Sequence, residues 1–255
     1  TSILCLCISI IGIYKIKLSG NMIEDMPKKS EFVKDIKFYE KEFKGILPIE
    51  IMIDSKRKNG ITKLATLKRM NNLSEHILKI PELSKPLSVV NLSKYIKQSF
   101  YNGNPNYFQL PSAQENTFIS TYVKNSNLEL EGNNSFINEN GQIARMTTMM
   151  GEINTERMEG IEASLIKGIE LYFPKERYEV TLTGKALGYL KGTKYLVKNL
   201  LISLSLAILL ISLIITYMFR SYKMVIISLI PNILPLLFTA GVMGFLNIPI
   251  KPSTI

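Results

Sequence analysis

The chain has 255 residues, of which 46% are hydrophobic and 20% are charged, and its formal net charge at pH 7 is +10. The basic excess does not indicate nucleic-acid binding, because the lysines are interspersed with acidic residues, as over residues 28–44, in the manner of a solvated surface. The apolar residues are concentrated towards the two ends of the chain, which indicates a membrane protein with a soluble domain between its apolar runs.

The first apolar run covers residues 1–14 and is too short to cross a bilayer by itself. No basic region precedes it and no small-residue cleavage site follows it, so it lacks the pattern of a secretory signal peptide. We expect it to be the C-terminal part of a transmembrane helix that begins upstream, in a longer protein of which this sequence is a piece. Its two cysteines, Cys5 and Cys7, behave as small apolar residues there and indicate no compartment.

The first half of the soluble domain, which we expect over residues 15–196, has the pattern of strand, helix and strand. LPIEIMID (Leu47–Asp54) alternates apolar and polar residues, as a half-buried strand does. Over residues 61–80 the apolar residues recur at helical spacing, which predicts an amphipathic helix. PLSVV, at residues 86–90, predicts a second and weaker strand.

The second half of the domain has the same order of elements. QIARMTTMM (residues 142–150) predicts a strand, and a second amphipathic helix is predicted from Asn154, a suitable N-cap, to Pro174, which ends it. RYEVTLTG (residues 177–184) alternates as a strand does. The resulting order, βαββαβ with a helical insertion at about residues 92–140, predicts a ferredoxin-like α+β domain.

Two long apolar runs follow this domain, which a helix after Gly184 joins to the first of them. Residues 197–217 and 224–246 are each long enough to cross the ~30 Å of hydrocarbon in a bilayer as a helix. The short turn between them, residues 218–223, carries two basic side chains, and the positive-inside rule therefore predicts that it lies in the cytoplasm. The domain, and the outer loop that begins at residue 247, are then expected on the outer side of the membrane.

The second apolar run contains residues that are poorly suited to a plain helix, namely Pro231, Pro235, Gly241 and Gly244. In membrane transporters such residues occur where neighbouring helices satisfy freed backbone groups, and glycines allow helices to approach closely. Glycine and proline are also frequent in membrane helices generally, so ordinary composition is the alternative interpretation.

The sequence offers no catalytic chemistry and no metal ligands at the required spacing. Between Val197 and Leu246 it contains no Asp, Glu or His, so these spans hold no side chain for a proton relay. His76 is the only histidine, and no cysteine or carboxylate stands at ligand spacing from it. We expect no catalytic, cofactor-binding or metal site.

One soluble stretch, residues 94–111 within the predicted insertion, interleaves aromatic residues with amides and lysines. Its aromatic residues are Tyr95, Phe100, Tyr101, Tyr107 and Phe108. They can pack the insertion onto the domain, contact a lipid, hydrophobic substrate or protein partner, or stack on bases. Nucleic acid is not an expected partner, because the domain is predicted to face away from the cytoplasm.

Together these segments resemble one repeat of the RND superfamily of transporters, and within it the MMPL and Patched-like exporters of bacteria. The resemblance covers nearly the whole chain and is most specific at FRSYK (residues 219–223), LIPNILPLL (229–237) and GVMGFLNIPIKPSTI (241–255). EDMPKKSEF (24–32) and TGKALGYLKGTKYLVKNL (183–200) look more like the second repeat than the first.

The resemblance implies a multi-pass, proton-driven exporter of the inner membrane that moves lipids or other hydrophobic molecules through periplasmic porter-type domains, without enzymatic activity or a cofactor. Its partners would be the membrane, the other repeat of the same chain, and a homo-oligomer or a periplasmic protein. The coupling acids would lie on a helix beginning around Ser253. The transport or packing residues that it singles out are Pro231, Asn232, Pro235, Gly241, Gly244 and Lys251. The alternative is a membrane protein that does not transport. Its outer domain would bind a lipid or a protein partner, either for sensing or as an accessory to translocation.

Overall fold

The computed structural model describes residues 9–16, 27, 29–116, 118, 135–151 and 153–248. Its contacts divide the chain into two compact units. One, here called the sheet unit, consists of Met22–Ile153 and Arg157–Gly188. The other, here called the helical unit, consists of Thr1–Asn21, Asn154–Glu156 and Tyr189–Ile255.

The chain is rich in helix and contains one small sheet. In chain order the elements are α1 (Glu31–Phe43), β1 (Leu47–Asp54), α2 (Leu64–Ile77), α3 (Val89–Phe100), a short 3-10 helix (Pro105–Tyr107), β2 (Ile143–Met150), α4 (Thr155–Tyr172), β3 (Glu179–Thr183), α5 (Lys185–Phe219) and α6 (Tyr222–Phe245). Residues 9–13 are also helical.

The sheet is antiparallel, and β1 lies at its centre between β2 and β3. Ile51 of β1 stands opposite Met146 of β2 on one side and Leu182 of β3 on the other. The alternation in β1 places Ile49, Ile51 and Ile53 on one face, and all three are buried. The half-buried strand that the sequence predicts at this position is confirmed.

Helices α2 and α4 contact each other through specific groups. The Arg69 guanidinium on α2 donates to the Tyr172 carbonyl at the end of α4, at 2.7 Å. The His76 Nε2 atom lies 3.2 Å from the Ser164 carbonyl oxygen, and its ring lies against Gly168, where an added Cβ would stand 2.7 Å from the His76 Cδ2 atom. His76 is therefore a packing residue between α2 and α4.

The strand predicted at residues 86–90 is wrong, because Val89 and Val90 begin helix α3 instead. The Ser88 hydroxyl accepts a hydrogen bond from the Val90 N–H at 3.2 Å, and the Asn91 side-chain oxygen accepts one from the Ser88 N–H at 3.0 Å. This reciprocal cap satisfies two backbone donors and outweighs the strand preference of the two valines. Within the segment predicted as a strand, Leu87 forms an isolated antiparallel bridge with Thr147 of β2.

Helices α5 and α6 are long and apolar enough to cross a membrane. Helix α5 is continuous over 35 residues and α6 over 24. Arg220 and Ser221 alone separate the two helices, and Arg220 adopts a φ of 48°, a left-handed conformation that ends α5. The length and composition of these helices indicate association with a membrane.

Candidate functional site

Pro231 and Pro235 both lie inside α6, and the helix continues past them. Because proline has no N–H, the carbonyls four residues before each of them lose their bond within the helix. Near these positions two side chains donate to backbone carbonyls: Asn232 Nδ2 to Ser228 at 3.2 Å, and Thr239 Oγ1 to Pro235 at 2.9 Å. Both bonds link a side chain to the carbonyl four residues before it, and neither goes to the carbonyls of Ile227 and Pro231, which the two prolines leave without an N–H donor.

Gly241 and Gly244 are the buried residues of α6. The helical segment 9–13 lies directly against them: a Cβ added at Gly241 would stand 2.5 Å from the Ser9 Cα atom, and one added at Gly244 would stand 2.5 Å from the Gly12 carbonyl carbon. Real Cβ atoms do not come this close to a backbone atom, so only glycine fits at either position without a shift of the helices. The contact thus joins two helices backbone to backbone.

The opposing segment contributes small residues of its own to this contact. Ser9 is 4% exposed, and a Cβ added at Gly12 would stand 2.9 Å from the Gly241 Cα atom. The contact ends with a cation over an aromatic ring, because the Lys15 ammonium lies 5.3 Å from the centre of the Phe245 ring. Sequence reasoning missed Ser9 and Gly12, and the available signal was a pair of small residues three apart within an apolar run.

In the sheet unit, the five aromatic residues of the predicted insertion form two groups of contacting rings. The rings of Tyr101 and Tyr107 are stacked, with centres 4.0 Å apart and planes at 12°. Tyr95 and Phe108 meet edge to face at 4.8 Å, and Phe100 meets Tyr101 in the same way at 5.3 Å. One group consists of Phe100, Tyr101 and Tyr107, and the other of Tyr95 and Phe108. Tyr95 remains 58% exposed.

A buried ion pair holds this aromatic segment in place. Lys97 is 4% exposed, and its ammonium lies 2.9 Å from Glu115 Oε2. The other carboxylate oxygen of Glu115 accepts from the Tyr101 hydroxyl at 3.0 Å, and the Ser112 N–H donates to Oε2 at 2.7 Å. The N–H of Ser112, followed by Lys97, lowers the pKa of Glu115 to about 2.

This ion pair was not predicted from the sequence, because Lys97 and Glu115 are far apart along the chain. The local signal was the spacing Ser112-x-x-Glu115, a capping box, in which the Ser112 hydroxyl also accepts from the Glu115 N–H at 3.2 Å. The bond to Glu115 raises the pKa of the Tyr101 hydroxyl. The carboxylate is thus held ionised by donors on three sides, which is a structural role.

The surface next to the aromatic segment is basic. The ammonium groups of Lys85 and Lys94 lie 5.3 and 5.9 Å from the centre of the Phe108 ring. Partial burial lowers the pKa of Lys94. The charge of Glu75 acts on the Lys94 pKa in the opposite direction, so charges of both signs lie near this ring.

The remaining predictions from the sequence concern Lys251 and metal ligands. Lys251 and the other residues after 248 lie outside the described residues. Within the part of the chain that the structure describes, no three His, Cys, Asp or Glu side chains stand close enough together to hold a metal ion.

No protein-family model matches the sequence, and no curated protein matches it.

Proposed function

We propose that this chain is one repeat of an RND-type transporter, similar to the MMPL and Patched-like exporters, that uses the proton motive force to export lipids or other hydrophobic molecules across the bacterial inner membrane. The single observation that carries the proposal is the contact of segment 9–13 with Gly241 and Gly244. The helical segment before the soluble domain thus packs on the second helix after that domain. A soluble domain inserted between packed membrane helices is the layout that the resemblance to an RND repeat implies.

The sheet unit supports this proposal, because its strand order is compatible with a ferredoxin-like porter domain. Leu83 and Leu87 form isolated antiparallel bridges with the outer edge of β2, and the Leu87 N–H donates to the Thr147 carbonyl at 2.8 Å. If residues 83–87 are counted as an edge segment, the order across the sheet is 83–87, β2, β1 and β3. This is the order in which a βαββαβ chain arranges its strands.

The connection between α5 and α6 supports a cytoplasmic turn. Arg220 and Lys223 stand at this connection, and basic residues in short loops are retained on the cytoplasmic side. The same orientation would place the sheet unit in the periplasm, where a porter domain acts.

The experiment that tests the proposal measures efflux of a fluorescent hydrophobic probe from cells that produce the full-length protein. We expect efflux above that of cells without the protein, and we expect a protonophore to abolish the difference. Efflux that is unaffected by the protonophore would contradict proton coupling, and the absence of any efflux would contradict transport.

The alternative function is that of a membrane protein that does not transport and whose outer domain binds a lipid or a protein partner. The observation that favours it is the exposed ring of Tyr95 beside Phe108 and the lysines Lys85 and Lys94. Binding of liposomes or of a partner without any efflux, and its loss in Tyr95→Ala, would support this alternative.

A further inference from the structure

Strand β3 lies at one edge of the sheet, and its outer side is open. The opposite edge of the sheet, at β2, is covered, because Leu83 and Leu87 form bridges to it. β3 pairs with β1 on its inner side. No backbone hydrogen bond joins its outer side to any other part of the chain that the structure describes. Among the described residues, β3 is therefore a free edge strand.

The hydrogen-bond pattern of the sheet identifies the groups of β3 that point outward. The Ser55 N–H donates to the Gln142 carbonyl at 3.0 Å, so the odd-numbered residues of β1 bond to β2. Alternate residues of a central antiparallel strand bond to opposite neighbours, and the even-numbered residues of β1 therefore bond to β3. Their partners there are Glu179, Thr181 and Thr183. The N–H and C=O groups of Val180 and Leu182 are then directed away from the sheet.

The sequence of β3 lacks the features that prevent an edge strand from pairing with another chain. Such features are a proline, a lysine, a bulge or a charge that points inward. β3 reads EVTLT and pairs with β1 in continuous register, and its one charged residue, Glu179, is its first and is exposed. Val180 and Leu182 are half-buried on the face that carries the buried Ile51 and Ile53. β3 is thus suited to accept a further strand.

We propose that β3 pairs antiparallel with β3 of a second copy of this chain, so that two three-stranded sheets become one continuous sheet about a twofold axis. The axis passes between Thr181 and the partner's Thr181. Val180 then stands opposite the partner's Leu182, and Leu182 opposite the partner's Val180. Each of these pairs exchanges its outward N–H and C=O groups, so that all of them are satisfied.

This register is complementary in polarity and in charge. Apolar side chains stand opposite each other at Val180 and Leu182, and two threonines do so at Thr181, which are favourable cross-strand pairs. Glu179 stands opposite the partner's Thr183. The glutamates of the two copies are then roughly 13 Å apart along the strands, which exceeds the ~8 Å Debye length at physiological salt. No like charges within β3 therefore oppose each other, and the strand is self-complementary, as an isologous contact requires.

The test is disulfide formation in membranes that contain the full-length protein, with its other cysteines replaced by alanine and copper phenanthroline as the oxidant. In the proposed register Thr181 stands opposite itself in a non-hydrogen-bonded pair, where the Cα atoms are about 4.5 Å apart. A disulfide can bridge this separation. We expect Thr181→Cys to form a dimer that a non-reducing gel resolves and that a reductant dissociates. The inference uses the sheet unit alone, so it stands or falls independently of transport.

Thr183→Cys is the matched control, because Thr183 lies on the same face of β3 and is also exposed. It stands opposite the partner's Glu179, and two cysteines at 183 would be roughly 13 Å apart, too far for a disulfide. This variant should remain uncross-linked by itself but should cross-link to a differently tagged Glu179→Cys copy produced in the same cells.

The outcomes that would overturn the proposal are equally specific. Equal cross-linking of Thr181→Cys and Thr183→Cys would show random collision. The absence of a Thr181→Cys dimer would show that this edge does not pair with a second copy, whether it is covered by another partner or by none. A Thr181→Cys protein that fails to accumulate leaves the decision to the mixed pair of Glu179→Cys and Thr183→Cys, whose failure to cross-link would overturn the proposal in the same way.

Discussion

Gly12 and Gly244 lie backbone to backbone: a Cβ built on Gly244 would stand 2.5 Å from the carbonyl carbon of Gly12. The two residues are far apart along the chain and belong to the same compact unit. A backbone contact of this kind depends on the absence of side chains, because any added atom separates the two helices. The contact fixes the register between segment 9–13 and α6.

A methyl group at this contact should destabilise the helical unit. Gly244→Ala should lower the thermal stability of the detergent-purified protein, because overpacking in a close contact costs about 1–3 kcal/mol. The matched control is Gly192→Ala on α5, where an added Cβ meets nothing within 4 Å. That variant should be neutral or stabilising, since alanine is the better helix former. Equal melting temperatures for the two variants would contradict the observed contact.

Removing the charge of Glu115 should destabilise the sheet unit. Glu115→Gln leaves the buried Lys97 ammonium without its carboxylate, which we expect to cost about 2 kcal/mol of unfolding free energy. Glu170→Gln is the matched control, because the pair Lys175–Glu170 has the same separation of 2.9 Å but is exposed on both sides. Exposed pairs contribute little, so this variant should show no measurable loss in denaturant unfolding. A loss of similar size in both variants would mean that burial of Lys97 is unimportant.

The contribution of Glu115 should also depend on pH. Its pKa in the folded chain is about 2, below the ordinary value of 4.5. A carboxylate with a lowered pKa stabilises the folded state fully above its ordinary pKa, and this stabilisation is lost as the pH falls towards the folded value. The difference in unfolding free energy between the unmodified protein and Glu115→Gln should therefore be constant near neutral pH and shrink between pH 4.5 and about 2. A difference that is independent of pH over this range would contradict the proposed ionisation.

The proposed orientation in the membrane can be tested by cysteine labelling after Cys5 and Cys7 are replaced by alanine. A cysteine in place of Ser221, between α5 and α6, should react with an impermeant maleimide only after the inner membrane is opened. A cysteine in place of Lys58, which is exposed in the sheet unit, should react in spheroplasts with an intact inner membrane. The reverse pattern would place the sheet unit in the cytoplasm.

The sequence predicts those elements whose signal is local and periodic. The alternation in β1 predicts the buried face of Ile49, Ile51 and Ile53, and this prediction is confirmed. The strand at 86–90 is wrong because a cap at Ser88, formed by two hydrogen bonds, decides the conformation of the valines that follow. Local capping chemistry thus prevails over the strand preference of a five-residue segment.

Contacts between distant segments could not be predicted in the same way. The sequence marks Gly241 and Gly244 as suited to close packing, but it does not identify Ser9 and Gly12 as the residues that face them. Similarly, the pairing of Lys97 with Glu115 depends on how the chain folds back between them. Such pairs have no period in the sequence, since they arise from tertiary structure alone. The transport role of these residues remains a prediction.

The measurement that tests the account most directly is probe efflux by the full-length protein carrying Gly244→Val, compared with Val225→Leu in the same helix at equal abundance in the membrane. A β-branched side chain at Gly244 cannot fit against Gly12, so we expect this variant to insert and accumulate but to lose efflux. Val225→Leu preserves apolar character and should retain efflux. Equal efflux from the two variants would contradict the claim that this helix contact belongs to a transport element.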